Sequence, residues 1–513
     1  MKAQPLDLSE LRADAAEGAR AIARKRGTRS FYKGADINRF TQDWITLPTT
    51  PDQELRFNLR RLRARARDLA RNTPHGKKFM NLVRKNIVGP YGFKFRAEVE
   101  TNAGTPDTVM NKRLTAAWTD FCLRENFTVD GRMNAVQTSQ LVASTVAMDG
   151  EVLIRKVRGY DNEHGFALQM LDADQLDETY SIVLANGNRV RMGVEVNGWN
   201  KPVAYHILTN HPSDYTFAEI PHKRERVPAE EIIHLFVPYR VNQTRGVTWF
   251  AAVMGDVRMH AGYREAELIA ARVGAAKGGF FETAAEVYEP ENRNFNETPT
   301  LKMDANPGVF EQLPPGITFK PFTPDHPTAG FAGFEKAILR SVATGLEVSY
   351  SSLTGDLESV NYSSIRQGEL DARDGWKMAQ EWLAEAFLRQ VYIPWLQMAE
   401  LKGVVTLDAR PPKRFHSVCF MGRGWPWVDP LKDAQATVLR IANRLGSRTE
   451  AIEQEGNDYE SVIAQLAKED ELAEEAGLPT GTTTDTLPKG VEKPGNPPPP
   501  ANEEDDPNAQ IEA

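Results

Sequence analysis

The sequence predicts an α+β chain, with helices and antiparallel strands in separate stretches. Residues 52–88 and 111–148 repeat apolar side chains at helical spacing. Residues 151–240 switch to period-two alternation, punctuated by the turn signals Asn186–Gly187 and Asn197–Gly198. From residue 247 onward helical spacing returns in long stretches.

At 513 residues the chain has room for roughly two to four domain-sized units. Hydrophobic residues make up 41% and charged residues 26%, a composition expected of a soluble chain. No run of about 18 apolar residues occurs, so no membrane span is expected. The N-terminus lacks the apolar core of a secretory signal. Cys122 and Cys419 make neither a disulfide framework nor a metal spacing, which points to folding in a reducing, intracellular setting. The net charge of −8 is unevenly spread: acids outnumber Lys489 and Lys493 beyond residue 476, leaving −5 there and −3 for residues 1–475.

Residues 1–45 read as an N-terminal arm containing the basic Arg24–Lys25–Arg26. From 52 to 71, Leu55, Leu59, Leu62, Ala66 and Leu69 form an apolar stripe. The opposite faces carry Arg56, Arg60, Arg61, Arg63, Arg65, Arg67 and Arg71. Pro74 interrupts the pattern, and a second helix runs to Val88 before Gly89–Pro90 ends it. Such an arginine surface suits nucleic acid, acidic neighbours or an oligomer contact. Apart from Phe57, no aromatic residue interleaves the arginines, which disfavours nucleic acid. Trp118, Phe121 and Phe127 are expected to anchor the core of the next helical stretch.

Residues 247–276, dense in Ala and Gly, read as one helix of about 42 Å at 1.5 Å per residue. Its small residues permit close approach of neighbouring helices, and its charges exclude a membrane helix. Residues 277–330 read as short strands and Pro-rich turns. Two amphipathic helices then flank the polar loop 349–364; the second is expected to be disturbed at Pro394. Residues 403–430 suggest two more strands, and 431–476 two or three short charged helices. Residues 477–513 are Pro, Thr, Gly and acid, a composition that predicts disorder.

The chemistry of catalysis is mostly missing. There is no P-loop, no strand–GxGxxG–helix unit, no G-x-S-x-G and no H-E-x-x-H. His206 and His211 lack a helical ligand spacing. Asp172, Asp174 and Asp177 lack the glycine and terminal glutamate of a calcium loop and read as a turn whose carboxylates cap backbone amides. Asp356 has no evident catalytic partner. No metal and no cofactor is expected, and an enzyme is disfavoured.

Several short pieces, taken in order, resemble the lambda-like family of tailed-bacteriophage portal proteins. They are Asn86-Ile-Val-Gly89, Leu171-Asp-Ala-Asp174, Gln243-Thr-Arg-Gly-Val-Thr-Trp249, Gly345-Leu-Glu-Val-Ser-Tyr350, Leu353-Thr-Gly-Asp356, Asn361-Tyr-Ser-Ser-Ile-Arg366 and Trp425-Pro-Trp-Val-Asp-Pro430. The resemblance covers roughly residues 30–476. It implies a portal fold that assembles into a ring, usually of twelve copies, at one capsid vertex. Double-stranded DNA would enter through this ring during packaging and leave during infection. By the same resemblance, residues 46–246 and 403–430 would form the wing and 247–276 and 331–348 the stem helices. Residues 277–330 would be the clip, 349–364 the tunnel loop, 365–402 the long helix behind it, and 431–476 a mostly helical crown.

The resemblance places Ser351, Ser352, Thr354, Asp356, Glu358, Asn361, Ser363, Ser364 and Arg366 at the DNA tunnel. Arg56, Arg60, Arg61, Arg63 and Arg67 would touch neighbouring subunits or the shell. Expected partners are double-stranded DNA without sequence preference, the terminase motor, the major capsid protein and the head-completion connectors, with no membrane. The setting would be the virion, after assembly in the host cytoplasm. The competing readings are a nuclease or terminase subunit, which needs a carboxylate cluster or P-loop, and another head structural protein.

Overall fold

A computed structural model describes Arg39 and residues 48–214, 223–275, 279–283, 317–321, 330–358, 362–425 and 430–477. The chain divides into two compact units, Met1–Glu54 and Leu55–Ala513. In the first, Thr49 Oγ1 donates to Glu54 at 2.5 Å. Helix α1 (Pro51–Arg56) carries Asp52 and Glu54 in its first turn, where acids complement the helix dipole. Most of the arm expected at residues 1–45 and nearly all of the tail at 477–513 lie outside the described residues.

In the second unit, α2 (Leu59–Asn72) and α3 (Pro74–Val83) meet at Thr73, whose hydroxyl accepts from the Gly76 amide while Pro74 occupies the first helical position. A π-helical turn, Arg84–Val88, follows and ends at Gly89, with φ of 73°. Strand β1 (Lys94–Ala97), α4 (Thr108–Phe121), α5 (Arg124–Phe127) and α6 (Ala135–Asp149) come next. A capping box of Asn134 and Gln137 opens α6, and Gly150 in the left-handed region closes it. Then come β2 (Glu151–Arg158), β3 (Phe166–Leu171), β4 (Ile182–Val183), β5 (Arg189–Arg191), β6 (Val194–Val196), β7 (Pro202–Leu208), β8 (Arg224–Pro228) and β9 (Ile232–Phe236). They form an antiparallel three-stranded sheet ordered β3-β2-β9 and a five-stranded one ordered β4-β5-β6-β7-β8.

Helix α7 (Met254–Ala275) precedes a pair of antiparallel strands, β10 (Gly279–Thr283) and β11 (Ile317–Pro321). Helices α8 (Phe331–Gly345), α9 (Tyr350–Thr354), α10 (Tyr362–Leu383) and α11 (Arg389–Leu401) follow, with a π-helical turn, Ala384–Leu388, between the last two. Strand β12 (Val418–Met421) returns to pair with β1. Helices α12 (Pro430–Ala442), α13 (Arg448–Gln454) and α14 (Tyr459–Glu475) complete the described chain.

Strand β2 separates two cores. Successive side chains of a strand point to opposite faces. Val152 and Ile154 therefore join the larger cluster, and Leu153 joins a smaller one with Val194, Tyr205, Ile207 and Val227. The larger cluster centres on aromatic rings: Trp118 packs edge-on against Trp395 at 5.0 Å and Phe121 lies 5.2 Å from Phe127. Trp118, Phe121 and Phe127 are buried, as the sequence suggests.

Three boundaries differ from expectation. The helix expected from 247 begins at Met254, because residues 246–250 are bound to the end of α6 instead. A Cβ on Gly246 would fall 2.1 Å from the Gly150 carbonyl oxygen, and the Trp249 amide donates to Ala147 at 3.0 Å. Pro394 lies inside α11 without ending it; neighbouring Tyr392 and Trp395 are fully buried, and this packing outweighs the lost backbone bond. In 403–425, β12 is the single described strand. Gly403, with φ of 80°, and the amides of Val404 and Val405 close α11, and Pro412–His416 forms a 3₁₀ turn.

The two cores are joined by a buried charge cluster. Glu151, with no solvent exposure, accepts from Arg63 at 2.7 Å, Arg245 Nε at 2.8 Å and the Gly246 amide at 2.9 Å; its other neighbour is His234 Nε2 at 2.9 Å. Burial alone would raise this carboxyl; Arg245 and then His234 reverse that and hold it well below the ordinary range. Arg245 also donates to the carbonyls of Met192 at 2.7 Å and Ala173 at 3.2 Å. Replacing Glu151 with Ala leaves the buried Arg245 without a carboxylate and Arg63 with Asp174 alone. Chemical denaturation should show a loss of about 3–5 kcal/mol.

On the five-stranded sheet, Glu195 is held by Arg226 at 2.7 Å and Asn188 at 2.8 Å. Arg226 leads the groups that pull its carboxyl from 4.5 to about 2. Its contribution is present above pH 4.5 and disappears as pH falls toward 2. Melting curves of Glu195→Gln should lose that part of the acid dependence.

Candidate DNA-facing loop and arginine helix

The polar loop expected at 349–364 is partly helical. Ser349 caps α9 by accepting from the Ser352 amide, and Gly355, with φ of 77°, ends it. The loop is tied to the helices on both sides. Ser349 and Ser352 donate to Glu369 of α10 at 2.9 and 2.7 Å. Lys336 of α8 reaches Asp356 at 3.4 Å and Glu358 at 3.5 Å. The Asp356 carboxylate also accepts from the Glu358 amide at 2.9 Å and the Tyr350 hydroxyl at 3.0 Å. Those bonds, the amide first, lower the Asp356 carboxyl, and Lys336 adds to them.

Among the residues expected at the tunnel, the structure brings Ser351, Ser352, Thr354, Asp356 and Glu358 into this one turn. Ser352 is engaged with Glu369, and Thr354 donates to the Tyr350 carbonyl at 2.8 Å. Glu358 is 83% exposed. Asn361 lies outside the described residues; Ser363, Ser364 and Arg366 belong to the start of α10, with side chains outside the description. Sequence reasoning missed Lys336 and Glu369, because neither lies in the loop. Replacing Lys336 with Met leaves two acids without their cation, so amide exchange at residues 350–358 should accelerate by about two- to fivefold while α11 stays protected.

The arginine helix divides sharply. Arg56, Arg60 and Arg61 are exposed, Arg56 lying 5.5 Å over the Phe57 ring. Arg63 is not available for a subunit or shell contact: it is 2% exposed and bound to Glu151 and Asp174. Arg67 is held by Asp149 at 2.7 Å, Asp172 at 2.9 Å and Asp174 at 2.6 Å. Both therefore correct the expectation of outward contacts. Arg63 falls four residues after Leu59 and three before Ala66, on the buried stripe itself, a signal the sequence did contain.

Asp172 and Asp177 do cap backbone amides, those of Asp174 at 2.9 Å and Thr179 at 3.0 Å. Asp172, Asp174 and His211 bring ligand-type atoms within 4.8 Å of one another, but Arg63 and Arg67 already satisfy the two carboxylates. Among the described residues no helix is long and apolar enough to cross a membrane.

Helices α7 and α8 lie side by side. Tyr263 packs on Phe331 at 5.6 Å and Phe334 at 5.3 Å, and His260 lies 3.2 Å from Glu335. At the other end a Cβ on Gly345 would fall 2.4 Å from Val253, so the glycine sets how closely α8 approaches the segment before α7.

Comparison with known proteins places this architecture among the structural proteins of bacteriophages. Residues 38–380 match the family described as phage portal protein, lambda family. A probable portal protein of Halomonas phage phiHAP-1 is 36% identical over 421 residues, covering 82% of this chain and 81% of the relative. Portal protein B of Escherichia phage lambda is 22% identical, covering 85% and 88%. A solved chain from the neck of a native GTA particle computed with C12 symmetry aligns with a TM-score of 0.42 at 15% identity, covering 75% of this chain and 91% of that one. The chain belongs to the lambda family of phage portal proteins. Its function is that of a phage portal, its α+β fold is the portal fold, and it is a component of the virion.

Proposed function

We propose that twelve copies of this chain form a ring at one capsid vertex, with the turn at residues 349–358 facing double-stranded DNA as it passes. The observation that carries this reading is the turn itself. It is polar and anchored from both flanking helices, and its acids are partly neutralised by Lys336. Duplex DNA carries one charge per about 1.7 Å of axis. A ring of strongly basic loops would hold it through many phosphate contacts. A ring of serines, threonines and partly paired acids contacts it weakly and without regard to sequence.

The paired helices α7 and α8 are the proposed stem. Met259, Leu268 and Ile269 are 75%, 62% and 51% exposed on α7, apolar surface that neighbouring copies in a ring would cover. Residues 277–330, of which β10 and β11 are described, are the proposed clip that meets the terminase motor and later the connectors. Residues 46–246 with β12 are the proposed wing toward the major capsid protein, and α12–α14 the proposed crown. Assembly is assigned to the host cytoplasm.

Negative-stain microscopy of the purified chain should show rings with a central hole; a stable monomer would refute the assignment. Asp356→Lys with Glu358→Lys should slow packaging or impair DNA retention while rings still form. Unchanged packaging would remove the turn from the passage. Charge reversal at exposed Arg60 and Arg61 should reduce the ring fraction before it alters DNA affinity, and intact rings in that variant would rule out their role at subunit contacts.

A further inference from the structure

A cleft of about 660 Å³ opens between the π-helical turn after α3, the start of β1, the end of β12 and the turn joining α13 to α14. Arg84, Lys85, Lys94 and Arg423 line it, against one acid, Glu455. Among the described residues, none of the four bases forms an ion pair. Lys94 donates to Asn457 at 2.7 Å and Arg423 to the Lys85 carbonyl at 2.8 Å, neutral partners that fix the side chains without cancelling their charge. Lys77 and Lys78, exposed on α3, extend the same sign, and the stretch Pro74–Val88 contains no acid. Burial, and then Arg373, push the Arg423 guanidinium below its ordinary range, as expected of cations crowded without a counter-ion.

The floor of the cleft is backbone. A Cβ on Gly424 would fall 2.2 Å from the Glu455 carbonyl carbon, and one on Gly456 2.4 Å from the Gly424 nitrogen. A Cβ on Gly89 would meet Arg423 at 2.9 Å. Close packing of three glycine turns thus fixes a concave site walled by four cations.

We propose that the acidic run Glu503–Asp506 of the same chain docks in this cleft, its carboxylates facing Arg84, Lys85, Lys94 and Arg423. Charge selects the run: it holds four of the seven acids beyond residue 476, with no base after Lys493. Reach permits it. Asn457 lines the cleft, and α14 leads away from it for 17 residues, about 25 Å at 1.5 Å per residue. The roughly 25 residues between Gly477 and Glu503 can span at most about 80–90 Å at 3.3–3.6 Å per residue, well beyond the distance back to the cleft. A tether long enough to span the gap makes the docking intramolecular.

The test uses full-length protein and a labelled peptide of residues 499–513. The chain carrying Glu503→Gln, Glu504→Gln, Asp505→Asn and Asp506→Asn should bind the peptide saturably, and more weakly as salt rises. The unmodified chain, its cleft filled by its own tail, should bind at least about tenfold more weakly. Adding Arg84→Glu and Lys85→Glu to the neutralised chain should cost at least about tenfold, whereas Arg84→Lys should retain binding. Equal peptide binding by the unmodified and neutralised chains would overturn the proposal. So would indifference to charge reversal, or a DNA duplex that binds through Arg84 and Lys85 where the peptide does not.

Discussion

A carboxylate without contact to water, shared between two guanidinium groups and an imidazole, sets the arrangement of this subunit. Glu151 sits at the first residue of β2, where α6 has just ended. Arg63 reaches it from α2, His234 from β9, and Arg245 from the segment that leads into α7. Burying an ion costs several kcal/mol, recovered here by four donors and by the carbonyls that Arg245 satisfies in turn. An apolar replacement could fill the space, yet it would leave the Met192 and Ala173 carbonyls without this donor. The cluster therefore fixes register as well as position: it determines which residue of each element faces the junction between the two cores, and hence where α7 departs.

What the sequence made legible follows from this division. Helices with their own apolar stripe, such as α2 and α10, announce themselves locally, and so do the alternating strands around Asn197–Gly198. Aromatic anchors such as Trp118 read directly as core. The exceptions depend on distant partners. Gln243–Trp249 stood out as a family signature, but its chemistry was hidden because Glu151 lies 94 residues before Arg245. Arg63 looked like its exposed neighbours because Glu151 and Asp174 are remote in the chain. The start of α7 shifted for the same reason: residues 246–250 are poor helix formers, and their backbone is committed to α6 and Gly150.

The tethered turn before α10 shows the same principle on a smaller scale. Read alone, SYSSLTGDLE is a loose acidic loop. In the fold, Lys336 and Glu369 hold it from opposite sides, and a capped single turn of helix gives it shape. Its shape is held by residues outside it, while Leu357 and Glu358 at its end remain exposed and the serines, Thr354 and Asp356 are half-buried.

Strand β12 pairs with β1 from the far end of the described chain, and near this junction Arg423 bonds Lys85 across 338 residues. Contacts of such separation form late, after the intervening loop has been closed. On the ribosome, β1 emerges long before its partner, and Phe95, which packs on Trp118, Tyr392 and Phe420 in the finished subunit, at first has only the nearby Trp118 beside it. A nascent chain is thus an unfinished monomer until translation has passed Met421, with an open strand edge and an aromatic cluster that lacks Tyr392 and Phe420. Closing that edge is therefore among the last steps that complete the subunit's fold.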